Sequence, residues 1–225
     1  MPLTLNGTTG EVFPSWTTGT RPASPSAGQT GYNTTLNTLE RYNGTTWGPI
    51  VTTSDSATVT PTMLSQPLTS ATAQNSTSGT SIDFTGIPSW VKRVTVMFNG
   101  VSTNGASNPL IRLGYSGGIV SSGYSSGTAY LYTSATPGVI TDSSGFVIIA
   151  GGSAADVFQG SYVFTLLNSS TNLWVGSGVL YRSDTVQLWP SAGSVSLSGV
   201  LTTVRMTTVN GTDTFDAGSV NILYE

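Results

Sequence analysis

Apolar and polar residues alternate along much of the chain. In residues 94–98 and 162–166 every second residue is apolar, which places one face of each segment against a core. Clusters of Gly, Asn, Ser and Pro separate such segments at short intervals, as is typical of a β-sandwich or barrel. Apolar residues at the three-and-four spacing of a helix form no long stretch. The pattern therefore predicts an all-β chain.

The apolar segments predict nine or ten strands in the C-terminal two thirds of the chain. The predicted strands cover residues 81–85, 91–98, 110–113, 129–133, 145–149, 161–167, 173–181, 195–208 and 220–224. The long segment 195–208 is expected to break in two near Gly199. Turns are expected at 168–171 and 210–211, because Asn and Gly tolerate positive φ. This strand number fits an antiparallel, jelly-roll-like β-sandwich.

Three parts are predicted along the chain. Residues 1–50 form a small β module with a hairpin whose turn is at 35–38 and whose Tyr32, Tyr42 and Trp47 cover one face. Residues 51–71 are a Ser/Thr/Pro-rich spacer or stalk. Residues 72–225 form the β-sandwich head domain. A module as small as 1–50 has a thin core, so it is expected to gain stability from a partner surface or from other copies of the chain.

The composition argues against electrostatic recognition. Thr, Ser, Gly and Asn account for 108 of the 225 residues, and only 8% are charged, against about 25% in ordinary soluble domains. The net charge is −3 and the seven cations are dispersed. Nucleic acid and anionic membranes both need a clustered basic field, so neither is an expected partner. No apolar stretch reaches the ~20 residues of a membrane span, and the first residues do not resemble a signal peptide.

The chain contains no His and no Cys. Ser-His-Asp and Cys-His catalysis, thiolate metal sites and disulfides are therefore excluded. The remaining catalytic options are a carboxylate pair, an activated Lys or a metal held by oxygen ligands. For a carboxylate pair, nothing in the spacing of Asp142, Asp156 and Asp184 brings any two of them together. Asp213 and Asp216 would face opposite sides of a strand, which does not favour a calcium site. The sequence predicts a non-enzyme with no catalytic residue, metal or cofactor.

Two regions resemble parts of bacteriophage proteins. The Arg-Pro-Ala-Ser-Pro-Ser-Ala-Gly-Gln run at 21–29, with Asn33 and the Glu-Arg-Tyr-Asn-Gly-Thr-Thr-Trp run at 40–47, resembles a small module near the start of tailed-bacteriophage fiber and appendage proteins. Residues 81–102, with Gly-Ile-Pro-Ser-Trp at 86–90, and residues 207–218 are similar to a domain of phage tail fibers and prophage-encoded tail proteins. The N-terminal pattern is degenerate, whereas the two C-terminal runs are specific.

The resemblance implies a virion protein, made in the host cytoplasm and assembled as a homotrimer. Its N-terminal module would dock on other virion proteins and its head domain would point outward. The expected role is that of a tail fiber or similar appendage, which attaches to a host cell-surface glycan or protein without catalysis. A capsid-attached head fiber or decoration protein that reads no receptor is the alternative. A polysaccharide-degrading enzyme is a third class, which would need an acidic pair in a groove.

The candidate docking residues lie in the N-terminal module. Arg and aromatic side chains dominate protein interfaces when they are buried. On this basis the expected contacts with the particle are Trp16, Arg21, Tyr42 and Trp47. The alternative is that Trp16 and Trp47 only fill the core of the module.

The candidate receptor contacts lie in the head domain. Residues 114–132 have the Tyr, Ser and Gly composition of a recognition loop, in which Tyr supplies rigid contact area. The candidates there are Tyr115, Tyr124, Tyr130 and Tyr132. The alternative is that Gly and Ser only form turns and that Tyr130 and Tyr132 form one face of a strand against a neighbouring chain. Trp189 precedes Pro190 and is expected in a loop, where its ring would stack on a ligand.

Overall fold

The computed structural model describes residues 4–6, 10–50, 68–130, 138–151, 153–184 and 186–225, with side chains from residue 13 onward. These residues form an all-β protein, as predicted, with one 3-10 turn at Thr18–Thr20. The chain divides into two compact units, Met1–Ser65 and Gln66–Glu225. Most of the predicted spacer, 51–67, lies outside the described residues.

The N-terminal unit contains a hairpin and a four-stranded sheet. Strands β1 (Thr4–Asn6) and β2 (Gly10–Val12) pair in antiparallel fashion. The sheet has the order β3 (Ser15–Trp16), β4 (Thr30–Asn33), β5 (Thr38–Tyr42) and β6 (Trp47–Pro49), and only the β3–β4 pair is parallel. The predicted hairpin is formed by β4 and β5.

The turn between β4 and β5 is built from two asparagines. The Asn33 side-chain oxygen accepts hydrogen bonds from the amides of Thr35 and Leu36, at 2.9 and 3.1 Å. Asn37 adopts a positive φ of 53°, which Asn tolerates better than most residues. The sequence therefore terminates β4 and starts β5 through local hydrogen bonds and one left-handed residue.

The second unit contains fourteen strands in the residues that the structure describes. In chain order these are β7 (Thr69–Ser70), β8 (Gln74–Asn75), β9 (Ser81–Thr85), β10 (Arg93–Thr103), β11 (Pro109–Tyr115), β12 (Gly118–Ile119), β13 (Ser125–Tyr130), β14 (Gly138–Asp142), β15 (Phe146–Val147), β16 (Phe158–Asn168), β17 (Leu173–Arg182), β18 (Gln187–Ser196), β19 (Leu201–Thr208) and β20 (Phe215–Tyr224). Residues 69–70, assigned to the spacer from sequence, pair with β20 in this unit.

These strands form two antiparallel sheets. The larger has nine strands in the order β14-β13-β18-β17-β16-β10-β20-β7, with β8 also pairing with β20. The smaller has the order β12-β11-β19-β9, with β15 pairing with β11. The larger sheet curls like half a barrel. The predicted antiparallel, sandwich-like fold is confirmed.

The core of the second unit is formed by the inward residues of the long strands. Phe146 lies 4.9 Å from Phe164 and 5.9 Å from Tyr162, measured between ring centroids, in edge or tilted contact. Trp174 is also buried. At the inward position Gly176, a Cβ atom would lie 2.5 Å from the ring of Tyr162. Glycine on β17 therefore lets the aromatic rings of β16 lie directly against the backbone.

Strand β10 is longer than predicted because it contains a bulge. The pattern 91–98 ends at Asn99-Gly100, which resembles a turn. In the structure Gly100 has a φ of 62° and the pairing with β20 shifts register between Asn99 and Ser102. The strand then continues to Thr103. Gly100, which suggests the end of a strand in the sequence, therefore lies at a bulge within one continuous strand.

Candidate functional site

A buried carboxylate organises the N-terminal sheet. Glu40 lies on β5 and its side chain is 1% exposed. The Arg21 guanidinium donates to both carboxylate oxygens, with Nε at 3.0 Å from Oε2. The indole Nε1 of Trp16 donates to Oε2 at 3.1 Å. The bonds from Arg21, reinforced by that of Trp16 and opposed by burial, lower the pKa of Glu40 to about 2.

The aromatic residues of this unit gather on the face that carries Glu40. Trp47 lies 4.8 Å from Trp16 in an edge-to-face contact and 5.5 Å from Tyr42, between ring centroids. Tyr32 pairs with Leu39 and therefore lies on the opposite face of the sheet. The expectation that Tyr32 shares a face with Tyr42 and Trp47 was wrong, since strand alternation separates them. Trp16, and not Tyr32, packs with Trp47 on this face.

All four candidate docking residues thus belong to one cluster. Trp16 is buried and fills the core of the unit, in agreement with the alternative drawn from the sequence. Arg21, Tyr42 and Trp47 are half-buried and keep exposed surface. Glu40 was not among the residues predicted from sequence, although its place in the same motif as Arg21 was a usable signal.

Tyr124, a candidate receptor contact, is buried in the second unit. Its hydroxyl accepts a hydrogen bond from the Leu113 amide at 2.9 Å and donates one to the Val120 carbonyl at 3.0 Å. Burial raises the pKa of Tyr124 to about 12. The ring packs on Phe146 at 5.2 Å. Tyr124 therefore fixes the segment after β12 to β11 and offers no surface to a ligand, which corrects the expectation.

Trp189 is also buried, and the expectation that it lies in a loop was wrong. It is an inward residue of β18, opposite Leu180 of β17. Tyr130 packs against its ring at 5.4 Å and is half-buried. Pro190 suggested a loop in the sequence, because proline is uncommon inside a sheet. Trp189 contributes to the core and not to a stacking platform.

Two receptor candidates keep accessible surface in the described residues. Tyr115, at the end of β11, is half-buried and covers Gly199, where a Cβ atom would lie 2.9 Å from its ring. Tyr130, at the end of β13, is the second. Tyr132 lies outside the described residues. Of the four candidates that the structure describes, the two with accessible surface therefore lie on different sheets.

Two of the three acids considered from sequence do come together. The Arg182 guanidinium binds Asp156 and also Asp184, whose Oδ1 lies 3.0 Å from Nε. Burial alone would raise the pKa of Asp184, but the bonds and charge of Arg182 outweigh it and the pKa is lowered. Asp142 instead accepts two bonds from Ser144 in a turn. An acid pair neutralised by arginine is not arranged as a general acid and base.

Asp213 closes a turn with neutral partners. Its carboxylate accepts from the Ser107 amide at 2.9 Å and from the Asn210 side chain at 2.6 Å. Asp216 is exposed on β20. Across the described ranges, no group of three or more acidic, His or Cys side chains stands close enough to hold a metal ion.

Comparison with known proteins gives no relative: the chain matches no family profile, no curated protein and no solved structure. In the part of the chain that is described, no helix is long and apolar enough to cross a membrane.

Proposed function

We propose that the chain is a structural protein of a bacteriophage virion. In this proposal it is a homotrimeric tail fiber or similar appendage whose N-terminal unit docks on other virion proteins. Its second unit attaches to a host-surface glycan or protein by non-catalytic binding. The observation that carries the proposal is the convergence of the N-terminal motif around Glu40.

The motif that resembles phage appendage modules is spread over 27 residues, from Arg21 to Trp47. In the folded unit its separated parts meet: Arg21 binds Glu40, and Tyr42 packs on Trp47. The pattern thus encodes one folded sheet, as a transferable docking module requires. This supports the resemblance beyond a chance match of turn residues.

The exposed parts of Tyr42 and Trp47 are the proposed contact with the particle. Aromatic side chains that keep exposed area next to a rigid ion pair are suited to an interface, because little entropy is lost when they are covered. Arg21 is used within the unit, so its contribution to docking is to hold the sheet in shape.

Docking is tested by Tyr42→Ser, with Tyr32→Ser on the opposite face as the matched control. In virions grown with each variant, the copies of the chain per particle are measured by immunoblot. We expect Tyr42→Ser to lower incorporation by about tenfold, the effect of losing one interface anchor, and Tyr32→Ser to leave it unchanged. Equal incorporation of both variants would contradict the docking assignment. Circular dichroism of the purified chains verifies that both fold.

Attachment is tested by competition. Host cells are incubated with the purified chain before phage is added, and the rate of adsorption is measured. The tail-fiber role predicts slower adsorption, weakened by Tyr115→Ala or Tyr130→Ala in the competitor. If adsorption is unchanged and the chain is found on the capsid, the head-fiber or decoration role is favoured. That role is compatible with the same N-terminal unit.

A further inference from the structure

The outward side of the nine-stranded sheet carries the second proposal. Strand alternation defines this side, because Tyr162, Phe164 and Trp174 point inward and are buried. The outward residues Val163 and Val175 are only half-buried. We call the outward positions of β10, β13, β14, β16, β17 and β18 the outer face.

The outer face lacks charge over most of its width. Among its described outward positions on β13, β14, β16, β17 and β18 there is no charged residue. The nearest charges, Arg93 and Glu225, lie at one end and bind each other at 3.0 Å. The smaller sheet differs, since its outward row contains Arg112, Arg205 and Asp83 in register. The smaller sheet thus presents a charged surface to solvent, whereas most of the outer face does not.

Large apolar side chains are exposed on the outer face. Those with the greatest exposure on these strands are Val139, Leu167, Val179 and Leu188. Val179 pairs with Pro190 on β18, and Ser177 with Ala192, so apolar or small uncharged residues continue across neighbouring strands. An apolar surface of this extent on a soluble protein marks an interaction site.

The size of the outer face matches a protein interface. The six adjacent strands contain 53 residues, and at about 3.3 Å per residue and about 4.8 Å between strands they cover on the order of 800 Å². A standard interface buries about 800 Å² on each partner. The area is therefore sufficient for a stable complex with another folded protein.

A second copy of the chain is the occupant that the chemistry favours. Nucleic acid and anionic lipid need clustered cations, and in the described ranges the outer face presents one, Arg93 at its end, which is paired with Glu225. Sugar stacking needs aromatic platforms, and Tyr181 is the one aromatic side chain on these outward positions where the structure describes them. An uncharged apolar face can meet its own copy without like-charge repulsion, and symmetric self-association is the commonest assembly.

We propose that the outer face is the surface through which copies of this chain associate. The proposal deepens the proposed function, since it assigns the oligomer contact of the appendage. It is independent of whether the assembled particle is a tail fiber or a head fiber.

A single introduced thiol tests whether another copy covers the face. The native chain has no Cys, so Ala192→Cys provides one reporter in the middle of the outer face. Ala155→Cys, exposed in the turn before β16 and outside the outer face, is the matched control. Maleimide labelling is measured as the chain is diluted from high to low micromolar concentration.

The expected result is that Ala192→Cys reacts at least about tenfold slower at high concentration than after dilution, as an association equilibrium requires. Ala155→Cys should react at one rate throughout. Fast labelling of Ala192→Cys at all concentrations would overturn the proposal, because the face would be open. Slow labelling at all concentrations, in a chain whose mass by light scattering is that of a monomer, would also overturn it, because the chain itself would cover the face.

A charge substitution tests whether the face drives association. Val179 on the outer face and Val200 in a turn are both 50% exposed. Val179→Lys should weaken association by at least about tenfold, because it buries a charge in an apolar contact, and Val200→Lys should keep the native mass by light scattering. Equal masses for both variants would refute the assignment. Absence of the chain from virions would instead contradict the proposed function, and it would not affect the assignment of the outer face as the association surface.

Discussion

The Arg21–Glu40 pair predicts a large and specific loss of stability. In Arg21→Met the carboxylate of Glu40, 1% exposed, loses its charged partner and keeps only the neutral side chains of Trp16 and Asn33 as stabilising donors. Removing one partner of a buried ion pair costs about 3–5 kcal/mol. Arg21 itself is 24% exposed, so water replaces part of its effect and we expect a loss towards the lower end of that range. That is a large fraction of the stability available to a unit this small.

A double substitution separates the charge from the packing. Arg21→Met with Glu40→Met removes both ions and leaves apolar side chains of similar length. We expect this variant to be more stable than Arg21→Met alone, because no unpaired charge remains in the core. If the double variant loses as much stability as Arg21→Met and Glu40→Met added together, the two side chains do not interact as the structure indicates.

The pH dependence gives the same pair a second signature. The pKa of Glu40 is about 2 in the folded chain, against an ordinary value of 4.5. Because folding lowers this pKa, the stabilisation is fully present above pH 4.5 and is lost as the pH falls towards 2. The wild-type chain should therefore lose stability in this window relative to the double variant, which has no such group.

The assay must resolve the two units. Urea titrations followed by NMR, read at the amides of Gly31 and Tyr42, report on the N-terminal sheet at any pH. The prediction requires an earlier midpoint for Arg21→Met at pH 7. A midpoint unchanged from wild type, or wild-type and double-variant curves that stay parallel between pH 5 and 2, would refute the reasoning.

Two further predictions concern close packing and buried hydroxyls. Gly31→Ala should destabilise the N-terminal unit by about 1–3 kcal/mol in the same titration, because the added Cβ would lie 2.0 Å from the Trp16 ring. Gly48→Ala is the control and should not change the stability, because no atom lies within 4 Å of its Cβ position. Tyr124→Phe should cost the second unit about 1–3 kcal/mol, because the Leu113 amide and the Val120 carbonyl lose their partner. Chemical denaturation measures this loss of stability. A loss below about 0.5 kcal/mol, which is the size expected for an ordinary surface substitution, would contradict the prediction.

Strands with a strict alternation were predictable from sequence. Strand β9 (Ser81–Thr85) coincides with its predicted segment, and the break between β18 and β19 falls at 197–200 as expected. The β4–β5 hairpin was also predictable, because Asn33 and Asn37 encode its turn locally. In these segments local propensity and the global fold agree.

Strand β18 shows what the sequence could not establish. Its residues 190–194 read Pro-Ser-Ala-Gly-Ser, which have weak strand propensity, yet β17 and β13 flank this segment and hold it extended. Pairing with neighbours overrides propensity in a central strand. Trp189 was misplaced for the same reason.

The charged contacts were equally invisible to sequence spacing. Asp156 and Arg182 lie 26 positions apart and meet because Phe158 and Arg182 are in register across β16 and β17. Glu40 and Arg21 meet because the segment that carries Arg21 follows β3, a strand of the same sheet as β5. Such contacts depend on strand register, which the pattern of apolar residues does not give.

The most direct test of the account is the position of this chain in a viral particle. Gold-labelled antibody against the second unit, applied to particles from the strain that encodes the chain, gives its location, and quantitative mass spectrometry gives its copy number. The account predicts label on an appendage, with copies in multiples of three. Particles without label, with the chain recovered as a free monomer, would contradict it.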